Sequence, residues 1–376
     1  MNLQSSRSQI SFYNEMDVLS EGVQKFDTMI ADIGRAQEEV NIQYYIIKRD
    51  ALGKRLLDAL LERAKAGIKI RLLYDGFGSR SLKRIDFKEL IEHGGKVQIF
   101  FPSSFGFINF RVNNRNHRKV CIIDGKVGYI GGFNVGTEYL GEVKKFGYWR
   151  DVHLRIEGDV VQHIQERFIL DWNYSNQQKN RDDLFCFPQH DVKSLSPMQI
   201  ITSGPNSHTE HLKNMMIKMI LSAEREVFIQ TPYFIPDKSF MDACKMALLS
   251  GVKMHIMIPG KPDHLFVMWG SWSFLGELLD YGADVYLYDR GFLHSKTLTI
   301  DSEISTVGTT NLDARSFRLN FEINALVFNR MVALELESLF ESDTASCRKL
   351  TKELYAQRNW TIKFREGVSR LLSPIL

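Results

Sequence analysis

Glu39-Val-Asn-Ile-Gln-Tyr-Tyr-Ile-Ile-Lys-Arg-Asp50 is answered later in the chain by Glu226-Val-Phe-Ile-Gln-Thr-Pro-Tyr-Phe-Ile-Pro-Asp237. Each reads as a buried strand followed by a helix start at an aspartate cap. The match continues outward. Ala66-Gly-Ile-Lys-Ile-Arg-Leu-Leu-Tyr-Asp75 parallels Ser250-Gly-Val-Lys-Met-His-Ile-Met-Ile-Pro259, a helix-ending glycine and then a strand. His93-Gly-Gly-Lys-Val-Gln-Ile-Phe100 parallels Tyr281-Gly-Ala-Asp-Val-Tyr-Leu-Tyr288. The chain is duplicated. Strands alternating with helical stretches predict an α/β fold of two similar halves, each a mainly parallel sheet flanked by helices, packed as a pseudo-dimer. The seam is expected in Asn176 to Pro197, which carries Gln-Gln, charges, two prolines and no sustained periodicity. That places the first half at 1–190 and the second at 191–376.

Composition narrows the class. With 376 residues, 44% hydrophobic and 25% charged, the chain is neither disordered nor collagen-like. A net charge of +3 does not demand nucleic acid and leaves an anionic surface open as a partner. The four cysteines lie far apart with no CxxC pair, which argues against a zinc ribbon or disulfide scaffold and suits a reducing compartment. No signal-peptide core opens the sequence. The aromatic-rich run Leu265 to Gly276 is well short of the ~20 apolar residues of a spanning helix.

Chemistry is carried by a second repeat. Asn116-His117-Arg118-Lys119-Val-Cys-Ile-Ile-Asp124 contains His-x-Lys-x4-Asp, as does Leu293-His294-Ser295-Lys296-Thr-Leu-Thr-Ile-Asp301. In both copies a glycine follows 14 residues after the histidine, and an asparagine, Asn134 or Asn311, 17 after it. Histidine and lysine two apart on a strand share one face, and a glycine turn returns the asparagine beside them. Two halves facing each other therefore offer two imidazoles and two ammonium groups around one point, an arrangement suited to a tetrahedral phosphate.

These motifs resemble the phospholipase D superfamily, whose duplicated HKD motif they reproduce. Within it the sequence is similar to the bacterial cardiolipin synthases, through Gly131-Gly-Phe-Asn-Val-Gly-Thr-Glu-Tyr-Leu-Gly141, Trp149-Arg-Asp151, Thr231-Pro-Tyr-Phe-Ile-Pro236 and the ending Arg370-Leu-Leu-Ser-Pro-Ile-Leu376. The resemblance covers nearly the whole chain from about Asp17. Family members usually begin with two membrane-spanning helices that this sequence lacks, so the expectation is a catalytic core, trimmed or naturally short.

The resemblance implies two phospholipase D-like halves with one shared active site and a two-step transfer. One histidine attacks phosphatidylglycerol to give a phosphatidyl-histidine; the other protonates the departing glycerol and then deprotonates a hydroxyl of a second phosphatidylglycerol. The products are cardiolipin and glycerol. His117 is assigned as nucleophile and His294 as acid and base, although sequence symmetry alone does not distinguish them. Lys119, Lys296, Asn134 and Asn311 hold the phosphate oxygens. Asp124 and Asp301 complete the catalytic motifs, mainly as support within the fold. Asp151 and Glu322 stand behind the histidines and orient them; the alternative is that they only neutralise Arg150 and Arg318. No metal or other cofactor is expected, and no nucleic acid. The implied partners are phosphatidylglycerol, cardiolipin and an anionic membrane surface, and the implied place is the cell membrane, peripherally on the cytoplasmic face. Hydrolysis by water, transfer to another alcohol and an inactive lipid-binding relative remain open.

The repeat offset adds one feature. It is 188 between Val97 and Val285 but 177 between His117 and His294, so the first half carries 11 extra residues before its motif. They fall in Pro102 to Asn114, where Phe105, Phe107, Ile108 and Phe110 are too apolar for an ordinary loop. An apolar lip over the site is expected there, with Arg111 and Arg115 facing lipid phosphates; the alternative is a loop packed onto the first half's own core.

Overall fold

The computed structural model describes residues 8–101, 113–175, 185–261 and 265–372. In the first half β1 (Ser11–Leu19) and α1 (Gly22–Gly34) precede β2 (Glu39–Tyr44), α2 (Ala51–Lys65), β3 (Lys69–Asp75) and β4 (Lys96–Phe100). Then come β5 (Arg115–Asn116), β6 (Val120–Ile123), β7 (Val127–Gly131), β8 (Tyr148–Arg150), β9 (His153–Gly158) and α3 (Val160–Ser175). The second half opens with β10 (Leu195–Ser203), α4 (His211–Ser222), β11 (Glu226–Gln230), β12 (Phe234–Ile235), α5 (Lys238–Leu249), β13 (Lys253–Pro259), α6 (Leu265–Asp280) and β14 (Asp284–Tyr288). It continues through β15 (Gly291–Leu293), β16 (Thr297–Ile300), β17 (Ile304–Gly308), β18 (Leu312–Asp313), β19 (Asn320–Phe328), α7 (Arg330–Thr344), β20 (Cys347–Leu350) and α8 (Trp360–Leu372).

Local chemistry sets these boundaries as the repeat implied. Asp50 accepts from Gly53 N at 3.0 Å to start α2, and Asp237 accepts from Phe240 N at 3.2 Å to start α5. Such a cap stabilises a helix by about 1 kcal/mol.

The two-half α/β architecture holds, with a correction to the strand pairing. β2, β3 and β4 are parallel, as are β11, β13 and β14, but β6, β7 and β9 join antiparallel. Their counterparts β16, β17 and β19 do the same. The sheet is mixed, not mainly parallel. The cause is a tight reversal inside each motif. Asp124 and Gly125 take φ of 53° and 63°, and Asp301 and Ser302 take 53° and 57°. Two successive left-handed residues match the twist of an antiparallel hairpin, and the Asp-Gly pair at 124–125 is its sequence signal.

The halves share one continuous sheet, in the order β20-β14-β13-β11-β16-β17-β19-β10-β1-β9-β7-β6-β2-β3-β4. The equivalent strands β1 and β10 pair antiparallel at its centre, where an approximate twofold axis relates the halves. A core beneath α3 and α7 crosses that axis, packing Ile156, Ile164, Phe168 and Trp172 with Met198, Ile323, Val327 and Leu336. Further apolar cores lie within each half.

Part of the expected seam, residues 176–184, lies outside the described residues, and Leu195 to Pro197 open β10. Phe105, Phe107, Ile108, Phe110 and Arg111, the proposed lip, also lie outside them. Among the described residues no helix is long and apolar enough to cross a membrane.

Candidate active site

Two short parallel strand pairs clasp the halves and set the site. β5 lies against the start of β19, Arg115 opposite Asn320 and Asn116 opposite Phe321, and His117 N donates to Phe321 O at 3.0 Å. β15 lies against β8, Phe292 opposite Trp149 and Leu293 opposite Arg150, and His294 N donates to Arg150 O at 2.7 Å. Each histidine is thus delivered beside a carboxylate of the opposite half. His117 Nδ1 is 2.9 Å from Glu322 Oε1, and His294 Nδ1 is 2.6 Å from Asp151 Oδ2. Both carboxylates are fully buried. Arg150 pairs with Asp343 at 2.7 Å and Arg318 with Glu210 at 2.6 Å, so neither arginine serves as the partner of Asp151 or Glu322.

His117 and His294 line one cleft of about 510 Å³ together with Asn134, Asn311, Arg115, Arg315, Trp149, Phe292 and Tyr45. With Nδ1 committed to a carboxylate, Nε2 of each ring is the atom left for chemistry. Lys119 and Lys296 lie buried beside them, and each ammonium donates to its own histidine's carbonyl, Lys119 at 2.6 Å. The asparagines differ. Asn134 accepts from Ile46 N and donates to Tyr139 Oη, both at 3.2 Å, whereas the Asn311 side-chain oxygen has no partner among the described residues.

Burial dominates the electrostatics. It holds the His117 imidazole below its usual range, against the pull of Glu322 and with the help of Lys119 and Lys296. Burial, then repulsion from Lys296, pushes His294 down to about 3 although Asp151 opposes it. Lys119 is pushed down to about 7 by burial, with Glu322 opposing and Lys296 adding to the shift. Burial alone would raise Glu322, yet His117, Lys119 and the Thr309 hydroxyl hold it below the ordinary carboxylate value. The resting site therefore presents neutral imidazoles whose Nδ1 faces a buried carboxylate.

Asp124 and Asp301 do not join this site. They sit seven residues beyond their histidines along extended chain, roughly 20 Å away. Asp124 accepts from the backbone N–H of Gln37, Glu38 and Glu39, at 2.7 to 2.9 Å. Asp301 accepts from Glu224, Arg225 and Glu226 in the same way, at 2.8 to 2.9 Å. Both pin the entry of a central strand, which is a supporting place within the fold.

Other site residues escaped sequence reasoning. The Tyr45 ring meets His117 edge-on, 5.0 Å between centroids. Asp75 accepts from Asn116 N at 2.9 Å and fixes the strand just before His117. Arg118, between the motif's histidine and lysine, is fully buried; it grips Asp171 and donates to the carbonyls of Glu322 and Ser203 at 3.1 and 3.2 Å. Asp171 is 53 residues distant in sequence, with nothing local to announce the pairing.

The family described as "Cardiolipin synthase, PLD-like domain" matches residues 29–172 and 216–344. The chain belongs to the cardiolipin synthase family. The Major cardiolipin synthase ClsA of Bacillus subtilis (strain 168) is 53% identical over 364 residues, covering 96% of this chain and 76% of that protein. Cardiolipin synthase 2 of Staphylococcus epidermidis is 51% identical over 367 residues, covering 96% and 75%. A solved phosphatidylserine synthase from Haemophilus influenzae Rd KW20 covers 98% of both chains with a TM-score of 0.77 at 16% identity, a likeness of fold.

Proposed function

We propose that this cardiolipin synthase family member joins two phosphatidylglycerol molecules through a phosphatidyl-histidine intermediate. The observation that supports it most is the pair of carboxylate-anchored imidazoles in one cleft, with two buried ammonium groups beside them. His117 Nε2 forms a bond to phosphorus as the bond to the glycerol oxygen breaks, and His294 gives that oxygen its proton. The second lipid's hydroxyl then loses its proton to His294 and bonds to phosphorus as the phosphorus–nitrogen bond breaks. One diester replaces another, so no nucleotide is needed. Covalent catalysis splits the displacement into two easier steps, and Lys119 and Lys296 offset the charge that grows on the phosphate oxygens.

The proton for the first step is taken up by His294 from solvent as the substrate binds. Repulsion from Lys296 helps keep His294 neutral, and a bound phosphate anion counters it, which raises the affinity of His294 for a proton. Asp151 then steadies the imidazolium.

A peripheral seat on an anionic membrane fits the surface nearby. α8 exposes Trp360, Phe364 and Leu371 beside Lys363 and Arg365, and α6, whose Val267 lines the cleft, exposes Leu265 and Phe266.

The test is the lipid product formed on phosphatidylglycerol vesicles. Cardiolipin with released glycerol is expected; phosphatidic acid would identify a hydrolase, and unchanged lipid an inactive binder. With phosphatidylglycerol radiolabelled at phosphorus, His117→Ala should abolish acid-labile protein labelling. His294→Ala should still accept label from a substrate whose leaving group needs no proton. The reverse pattern exchanges the two roles. Activity is also expected to survive dialysis against a strong chelator, because the lysines and an imidazolium supply the positive charge; loss restored only by Mg2+ would contradict this.

A further inference from the structure

The approximate twofold symmetry holds at the reacting groups and breaks one step outward. His117, Lys119, Asn134 and Asp151 have counterparts of like chemistry in His294, Lys296, Asn311 and Glu322. The flanking positions do not. In the two clasps, Arg115 opposite Asn320 occupies the place that Phe292 opposite Trp149 fills on the other side. Four residues past the conserved asparagines, Arg315 stands where the first half has Glu138. All six line the same cleft.

One flank is therefore aromatic, with the Lys145 ammonium resting over the Phe146 ring. Trp149 and Phe292 pack with centroids 5.0 Å apart, and Glu138 is ion-paired with Lys48 at 2.5 Å. The other flank is cationic and unsatisfied. Arg115 is more than nine-tenths buried, stacks on Phe77 at 4.4 Å and donates from Nη1 to Asn114 O at 2.8 Å, yet its Nε has no partner among the described residues. The side-chain oxygen of buried Asn320, beside it in the clasp, also has none. Among the described residues Arg315 donates only to Asn113 O, at 3.2 Å. Neither guanidinium pairs with a carboxylate among the described residues. A buried donor left unpaired keeps its full desolvation cost, so such a flank suits a ligand, and planar guanidinium forks suit a phosphodiester.

We propose that Arg115 and Arg315 bind a second phosphodiester in the cleft, that of the acceptor lipid, and so select phosphatidylglycerol over water. This rests on the transfer reading above. The donor phosphate carries one negative charge and is met by Lys119 and Lys296, so the two guanidinium groups on the flank opposite Lys145 answer a second anion. The acceptor hydroxyl lies three carbons from its own phosphate, which brings that phosphate into the cleft when the hydroxyl reaches phosphorus. Water and neutral alcohols have no such handle.

The test is product partition on phosphatidylglycerol vesicles for Arg115→Gln and Arg315→Gln, with cardiolipin and phosphatidic acid quantified together. Each variant should lower the ratio of cardiolipin to phosphatidic acid at least tenfold, and Arg115→Lys should restore part of it. With ethanol added as a neutral acceptor, the ratio of phosphatidylethanol to phosphatidic acid should not shift. Both products falling in parallel, an unaltered ratio, or an equal shift with ethanol would overturn the assignment. Thermal melting separates a folding defect from a lost contact. Wild type that forms no cardiolipin would instead sink the transfer reading itself.

Discussion

Lys119 carries a charge that the reaction needs and that the interior resists. Its ammonium is pushed down to about 7, chiefly by burial, so the charged form is lost as pH rises through that value. The rate at low substrate, kcat/KM, should therefore decline above about pH 7. A bound phosphate anion favours the ammonium, so the alkaline limb of kcat should lie at higher pH than that of kcat/KM. Coincident limbs, or none below pH 9, would exclude this role for Lys119. Glu322 acts through His117 and not on phosphate. Glu322→Gln keeps an acceptor near Nδ1 but removes the charge that steadies the imidazole. A fall in kcat of about 10²–10⁴-fold is expected with little change in melting temperature; an unaffected kcat would make Glu322 a packing residue only.

Elements show where sequence reasoning reaches and where it stops. The strand-turn-strand around each motif was legible because every signal is local: His117 and Lys119 share a face by the two-residue period, and Asp124-Gly125 turns the chain. The crossing of His117 to Glu322 and of His294 to Asp151 was not, since same-half and opposite-half pairings satisfy the same spacing. The short clasps β5–β19 and β15–β8 decide it, and two- or three-residue strands leave no periodic trace. Asp301 is the converse case, a motif residue whose position suggests chemistry but whose contacts are structural. Burial works against its carboxylate, yet three backbone donors hold it below the ordinary value. Its stabilisation is therefore present above about pH 4, the unfolded value, and is lost as pH falls through the folded one. Asp301→Ala should cost about 1–3 kcal/mol at neutral pH and less in acid, with turnover per folded molecule largely retained. Lost turnover without lost stability would return Asp301 to the catalytic set.

At the scale of the whole molecule, the halves are joined too closely to unfold apart. One sheet passes through both, the core under α3 and α7 draws from each, and Arg118 ties Asp171 of the first half to carbonyls of Ser203 and Glu322 in the second. Opening that junction would take from buried Arg118 its carbonyl acceptors in the second half, and from each histidine its anchoring carboxylate. Two-state unfolding is expected despite the length and the duplication. Hydrogen exchange read by peptide mass should give the same opening free energy for peptides from β9 and from β19, which lie on opposite sides of the axis. Arg118→Ala leaves Asp171 with Arg167 and Gln43 but without its closest partner. Removing one member of a buried pair costs about 3–5 kcal/mol, and that loss should appear equally in both peptides although the substitution lies in one half. Exchange that accelerates in β9 while β19 keeps its wild-type protection would show instead that the halves are separate thermodynamic units held together only at the site.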